Sequence, residues 1–219
     1  MAAAQRRRGL DRYRHGAGRL AAPGNRHVHR DRAIIGSVFS RTSALLAAAL
    51  AAPVPRPIGA GPPYHPPPTS PRVARALPVA GLACSPAETA RFGVHLELFA
   101  RRLVAIVPAG IGIAPPLRRD GAYVRGGRCS YPARTREPTG VIEVRTGARL
   151  TLGAFFHLWG QPLSRTRLAG FRGPVSAFVA GRPRSGDPRT IPLTRHAQIV
   201  LEVGGYVRPH ASFLFRHGL

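Results

Sequence analysis

The sequence predicts an α+β domain, in which a small mixed β-sheet carries one short packed helix in a β-grasp-like arrangement. From residue 94 onward, apolar residues fall in runs of strand length. One stretch, Leu152–Trp159, instead has the three-to-four-residue apolar spacing of a helix with one buried face. The order of hairpin, strand, helix and further strands favours a sheet with a helix across it. A small β-sandwich is the alternative.

The first strands follow from alternation. Residues 94–99 place His95 and Glu97 between apolar neighbours, which predicts a strand with one polar face. The run 103–107 comes only three residues later, so the two runs predict a hairpin. Residues 114–140 are rich in proline, glycine and charge and predict one long loop, and 141–144 predict a third strand.

The helix has its own start and stop signals. Thr151 can accept a hydrogen bond as the N-cap, and Gly160 is a natural C-terminal stop. Val175–Val179 and residues 197–203 predict the last two strands.

The charge is strongly basic and is spread along the chain. The 33 basic residues are all arginine, against 9 acidic residues, for a net charge of +24. Residues 83–219 alone contain 20 arginines and 7 acids, a net charge of +13. A charge spread in this way favours a solvated surface or general attraction to polyanions over one recognition patch. Binding to nucleic acid by this route would be sensitive to salt and not sequence-specific.

Composition divides the chain into three parts. Residues 1–52 predict a disordered basic leader, in which the apolar run 44–52 is typical of a signal peptide. This run is shorter than the roughly 20 residues of a membrane span, so no transmembrane span is expected. Residues 53–82 predict a proline-rich linker, and 83–219 the β-rich domain. We therefore expect export to the periplasm, the cell surface or the medium; a short alanine-rich helix and an organelle transit peptide are the alternatives.

The chain has two cysteines, Cys84 and Cys129. This number favours a single disulfide in an oxidising compartment, with two unrelated thiols as the alternative. Closing the intervening loop would stabilise the fold by roughly 3–4 kcal/mol in the chain-entropy model.

Several short motifs occur in a defined order, and together they resemble an uncharacterised family of exported bacterial proteins. They are Cys84, the strand at His95, the turn Pro108-Ala-Gly-Ile-Gly-Ile113, Cys129, the strand at Glu143, the helix motif Leu152-Gly-Ala-Phe-Phe-His-Leu-Trp-Gly160 and the segment Gly186-Asp-Pro-Arg-Thr-Ile-Pro-Leu193. The resemblance covers about residues 81–219 and implies that the chain shares the fold of that family.

The resemblance also implies a degenerate metal site. The family's histidines alternate on strands, so they project to one face and suit copper or zinc. Here the corresponding positions hold Arg91, Gly93 and His95 in the first strand, Arg134 and Arg136 in the second segment, and Glu143 in the third strand. Arginine stays protonated and cannot ligate a metal.

Two interpretations of these positions remain open. His95 is the one candidate metal ligand left in the set. Arg91, Arg134 and Arg136 could bind an anion through bidentate guanidinium geometry, with Glu143 pairing with one of them. Alternatively, the site is eroded and these side chains are solvated.

We therefore expect a non-enzymatic exported domain without a cofactor, copper or zinc being the possible exception. The alternative is a basic protein that binds polyanions, either nucleic acid or an anionic envelope surface. An enzyme ranks last, because the sequence shows no nucleophile with a base and an orienting group.

Overall fold

The structure is a computed structural model that describes residues 66–219. The predicted leader and the first part of the predicted linker lie outside the described residues. In chain order the elements are α1 (Pro71–Ala74), β1 (Arg91–Ala100), β2 (Leu103–Val104), β3 (Ile113–Ala114), β4 (Arg118–Asp120), β5 (Tyr123–Gly126), β6 (Cys129–Ser130), β7 (Ala133–Arg134), β8 (Val141–Arg145), α2 (Leu152–Trp159), β9 (Leu163–Ser164), β10 (Arg167–Leu168), β11 (Phe171–Arg172), β12 (Val175–Val179), β13 (Arg182–Pro183), a 3₁₀ turn (Pro188–Thr190) and β14 (Gln198–Val203).

The described residues are mostly β and contain a mixed sheet, as predicted; the sheet has seven strands. The strand order is β13-β12-β14-β1-β8-β7, and β2 pairs with β1 beside this path. β1 and β14 run parallel at the centre, with His95 opposite Gln198. β8 pairs with β1 and β12 pairs with β14, both in the antiparallel sense. The long strand β1 therefore pairs on one side with β8 and on the other with β14, near the end of the described residues.

The helix α2 closes the core on one face of this sheet. Its bounds and its caps agree with the prediction: the Thr151 side chain accepts from the amide of Ala154, and Gly160 adopts a left-handed φ of 75°. Its large apolar side chains join one cluster with those of the neighbouring strands: Val94, Leu96, Leu98, Ile142, Val144, Leu152, Phe155, Phe156, Leu158, Trp159, Ile199 and Leu201. Each fully buried side chain of this size contributes about 1.5–3 kcal/mol of hydrophobic stabilisation.

Two local predictions were wrong. The segment 114–140 is not one long loop, since it contains β4 and β5 as a hairpin and β6 and β7 as pieces of two sheets. These strands have two to four residues, which is too short to show alternation. Strand β2 covers only Leu103–Val104 of the predicted run 103–107.

The packed region also begins before residue 83. Ser70 caps α1 by accepting from the amide of Val73, and Val73 is fully buried in the main core. Part of the predicted linker therefore belongs to the domain. Among residues 66–219, no helix has the length and apolar character needed to cross a membrane.

The second face of the sheet is covered by the last residues of the chain, 206–219, which we call the C-terminal tail. Phe213 stacks on the His95 ring with centroids 3.7 Å apart, and Phe215 stacks on His196 at 4.9 Å. The polar face predicted for β1 is consequently buried as well, although it faces away from α2.

Candidate functional site

One face of the main sheet carries the candidate residues. Alternate residues of a strand point to opposite faces, so Arg91, Gly93 and His95 of β1 share the face turned away from α2. Glu143 of β8 lies opposite Gly93, and Arg134 of β7 lies opposite Glu143. The positions that the resemblance implies for a metal site therefore lie on one face.

Arg134 is the centre of a buried ion-pair cluster. Its Nε donates to Glu143 Oε2 at 2.9 Å, and its Nη1 and Nη2 donate to the two carboxylate oxygens of Glu88 at 2.9 and 3.0 Å. Burial lowers the pKa of Arg134, but the hydrogen bond to Glu88 and the charge of Glu143 outweigh burial and raise it. The same hydrogen bond, more than any other contact, lowers the pKa of Glu88. Both charges therefore persist across the physiological pH range.

Two further arginines complete this cluster. Arg136 Nε lies 3.3 Å from Glu143 Oε2, and its Nη2 donates to Glu88. Arg216 of the C-terminal tail donates from Nη2 to Glu143 Oε1 at 2.9 Å and from Nη1 to Glu137 at 2.7 Å. The predicted pairing of Glu143 with an arginine is confirmed, and Glu143 in fact faces three of them.

Arg91 plays a different part, since it binds the backbone. Its Nη1 donates to the carbonyl oxygens of Pro132 and Glu143, and its Nη2 donates to Ser130 Oγ and to the carbonyl oxygen of Tyr131. Burial first, and then the charge of Arg134, lower the pKa of Arg91 to about 10. The guanidinium therefore stays protonated at neutral pH, where it ties β1 to the segment around β6 and β7.

His95 lies on the same face but makes separate contacts. Its Nδ1 lies 2.7 Å from the Gln198 side-chain oxygen, and its Nε2 lies 2.9 Å from the carbonyl oxygen of Thr139. Gln198 Nε2 is buried without a partner. Both ring nitrogens of His95 therefore lie within hydrogen-bond distance of groups of this chain, and the tautomer sets which nitrogen donates. A metal at either nitrogen would have to displace one of these contacts.

The C-terminal tail separates His95 from the arginine cluster. A Cβ atom built on Gly93 would lie 2.4 Å from Phe215 Cδ1, so the Phe215 ring occupies the space above this glycine. Sequence reasoning missed this cover. The signal was the alternation of Phe213 and Phe215 with Leu214 and Arg216, which is typical of an extended segment with one buried side.

The predicted disulfide between Cys84 and Cys129 is confirmed, with Cα atoms 5.6 Å apart. Ser85 and Ser130, the next residues on each side, exchange two backbone hydrogen bonds. This link fixes the segment that leads to Glu88, the second carboxylate of the cluster, which sequence reasoning did not single out. Glu88 lies 46 residues from Arg134, and nothing in its local pattern points there.

The electrostatics of the cluster oppose a cation. The guanidinium groups of Arg134, Arg136 and Arg216 pair with the carboxylates of Glu88, Glu137 and Glu143. The charged guanidinium of Arg91 lies beside them, since it shares Ser130 Oγ with Arg134, and it leaves the cluster with an excess of positive charge. Within residues 66–219 there is no group of three or more histidine, cysteine or acidic side chains placed to hold a metal ion. The anions that the arginines bind are carboxylates of this same chain. The cluster therefore stabilises the fold, and an external anion would have to compete with these carboxylates for the guanidinium groups.

A cleft of about 400 Å³ lies beside His95, between β1 and residues 104–107 and 138–140. Its lining is mostly apolar, with Glu97 and His210 among its polar residues, joined by a 2.9 Å contact between Glu97 Oε2 and His210 Nδ1. Its one hydroxyl side chain is that of Thr139. A histidine paired with a carboxylate supplies two of the three members of a catalytic triad, and the third member, an activated nucleophile, is missing among the described residues that line the cleft.

Comparison of the chain with protein-family models, with characterised proteins and with solved structures finds no match.

Proposed function

We propose that this chain is a non-catalytic, exported β-rich domain that binds polyanions through its surface arginines. One observation carries the proposal. Of the 22 arginines in residues 66–219, 17 are exposed, and only Arg125, Arg189 and Arg216 among those 17 form ion pairs within the described residues. The exposed positive charge is therefore largely uncompensated, which attracts anionic polymers and surfaces.

The acidic side chains cannot neutralise this surface, because they are already engaged. Each of the seven carboxylates among the described residues accepts a hydrogen bond from another group of the chain: Glu88, Glu97, Asp120, Glu137, Glu143, Asp187 and Glu202. Three of them serve the buried cluster around Arg134. The few acids are thus paired locally, two of them, Glu143 and Glu202, in the interior, and most surface arginines are left without an acidic partner among residues 66–219.

Export is supported by the disulfide between Cys84 and Cys129, since such bonds persist in oxidising compartments. The signal-peptide-like run 44–52 supports it from the sequence. Both observations fit a domain that works outside the cytoplasm, where polyanions occur as envelope components or as released nucleic acid.

We further propose a β-grasp-like topology and a divergent membership of the exported bacterial family. The order β8-β1-β14-β12, with β1 and β14 parallel and α2 between β8 and β12 in the chain, supports the first. The gathering of Arg91, His95, Arg134 and Glu143 on one sheet face supports the second.

In this proposal the metal is lost and the arginine–carboxylate cluster takes its place. Titration of the purified chain with Cu²⁺ and Zn²⁺, followed by calorimetry, is expected to show no site of micromolar affinity. A micromolar site that disappears in His95→Gln would overturn this part of the proposal.

Polyanion binding is tested by heparin chromatography of the full chain and of a chain that begins at residue 66. The shorter chain keeps the residues from 66 onward because Val73 is part of the hydrophobic core. We expect both to elute above physiological ionic strength, about 0.15 M, and to show a steep dependence of log affinity on log salt. Elution of the shorter chain at or below that ionic strength would contradict the proposal.

A further inference from the structure

The turn between β1 and β2 is unusual in its residues. Ala100 pairs with Leu103, so Arg101 and Arg102 form a two-residue hairpin loop. Both have positive φ, 53° and 64°, which such loops require. Asn-Gly or Asp-Gly normally fills these positions, because the left-handed region disfavours other residues. Strained non-glycine residues cluster at binding and active sites. Five other non-glycine residues among residues 66–219 also have positive φ, so this turn points to a site only together with the charges and the cavity beside it.

The strained turn forms one wall of a cleft. Arg101 and Arg172 line a cavity of about 200 Å³ together with Gly170, Val203 and Gly204. A water molecule takes up about 30 Å³ in the liquid, so the cavity has room for a tetrahedral oxyanion with some of its hydration. The cavity lies at the end of β1 and β14, where the Arg101 amide donates to the Val203 carbonyl oxygen.

Glycine opens the space beside the second arginine. A Cβ atom on Gly205 would lie 2.9 Å from Arg102 Cγ and 3.3 Å from its Nε, so the Arg102 side chain runs along the Gly205 backbone. Tyr206 follows, with 65% of its surface exposed. An exposed tyrosine beside basic residues is common where a protein meets a membrane interface.

The charge at this cleft is uncompensated. Arg172 lies directly opposite Arg167 in the β10–β11 pair, and like charges in such a pair are destabilising. Within the described part of the chain, no carboxylate forms an ion pair with Arg101, Arg102, Arg167 or Arg172, whereas the buried arginines of the first cluster all lie near Glu88 or Glu143. The two arginine groups therefore differ in kind: one is neutralised by this chain and the other is not.

We propose that Arg101, Arg102 and Arg172 form a binding site for a tetrahedral oxyanion, taken up as free phosphate or as the phosphate of an anionic lipid headgroup. Arg101 and Arg172 line the cavity, whereas Arg102 follows Arg101 in the turn and runs along Gly205. Guanidinium groups bind phosphate oxygens in a bidentate manner, so Arg101 and Arg172 can hold one such group in the cavity while Arg102 adds positive charge next to it. The site rests on the proposed polyanion binding and gives it a location.

The test compares three variants of the full chain on vesicles of phosphatidylcholine with and without phosphatidylglycerol. R101N/R102G removes both tip charges and supplies the residues that the turn prefers. R182Q/R184Q removes two exposed charges from the hairpin of β12 and β13. A180N relaxes the comparable turn of that hairpin, where Ala180 has a φ of 50°, without a change of charge.

We expect R101N/R102G to melt at a higher temperature than the wild type and yet to bind the phosphatidylglycerol vesicles about 30-fold more weakly, since each arginine near an anionic surface contributes about fivefold. R182Q/R184Q should lose clearly less affinity, and A180N should gain stability with unchanged binding. Arg172→Gln, which leaves the turn intact, should reproduce a loss of several-fold. Inorganic phosphate should compete with the vesicles for the wild type; saturable phosphate binding without vesicle binding would identify the free anion as the source.

Equal losses in R101N/R102G and R182Q/R184Q would overturn the site while leaving general polyanion binding in place. Absence of binding by the wild type to phosphate, vesicles and heparin alike would overturn the proposed function itself, and the site with it.

Discussion

Replacing Glu143 with glutamine should lower the free energy of unfolding far more than the same replacement at any exposed acid. Glu143 is 4% exposed and accepts from Arg134 Nε and Arg216 Nη2, both at 2.9 Å. Glutamine keeps the shape but removes the charge that these guanidinium groups face. Arg134, itself 3% exposed, would lose one of its two carboxylates with little water to replace it.

The magnitude follows from the burial of each contact. A hydrogen bond between charged groups in a buried setting is worth about 1.5–3 kcal/mol. The Arg216 contact adds less than about 1 kcal/mol, because that arginine is half exposed. A loss of about 3 kcal/mol in the free energy of unfolding results, at the lower end of the range for breaking a buried ion pair. For a domain of this size the melting temperature should fall by about 6–12 °C.

Urea and thermal unfolding of the oxidised protein, followed by circular dichroism, measures this difference. Glu137→Gln is the matched control, since Glu137 also binds Arg216 but is about one third exposed, and it should cost less than about 1 kcal/mol. Equal stability losses in the two variants would show that the buried cluster is not the anchor that its geometry indicates.

Three further perturbations test other parts of the structure. Serine at both Cys84 and Cys129 should lower the free energy of unfolding by roughly 3–4 kcal/mol in denaturant titrations, because the bond restricts the unfolded chain. An unchanged free energy of unfolding would contradict this reasoning. Burial raises the pKa of Glu202 above its ordinary 4.5, so its ionisation destabilises the native state above that pKa. Glu202→Gln should therefore raise the melting temperature at pH 7 and lose this advantage as the pH falls through the raised pKa of Glu202, with none left below about 4.5; an advantage constant with pH would contradict the assignment. Gly93→Ala should displace Phe215, cost about 1–3 kcal/mol and speed proteolysis of the C-terminal tail, whereas an unchanged cleavage rate would show that the tail does not rest there.

The local elements were predictable where a periodic run was long enough and ended in a cap. The helix Leu152–Trp159 and the strand Val175–Val179 match the prediction residue for residue. Thr151 and Gly160 marked the ends of the helix, because capping depends on local chemistry alone. The two-residue strands could not be found in this way, since their existence depends on a partner elsewhere in the chain.

The long-range pairings lay beyond local pattern. Strand β1 pairs with β14, a hundred residues later, and neither strand carries a mark that identifies the other. The candidate site shows the same limit. Arg134 and Glu143 were singled out from the sequence, but Glu88 and Arg216, which complete the cluster, reach it from 46 residues before Arg134 and 73 residues after Glu143. Their positions follow from the disulfide and from the path of the C-terminal tail.

The contacts of the last residues with the sheet affect where a purification handle can be attached. Leu219 places its main-chain oxygen 2.7 Å from His196 Nε2, and its Cβ lies near Gly93. A purification handle joined directly to Leu219 would start beside both contacts. A spacer between Leu219 and the handle is therefore needed if the neighbouring Phe215 ring is to keep its place on the sheet.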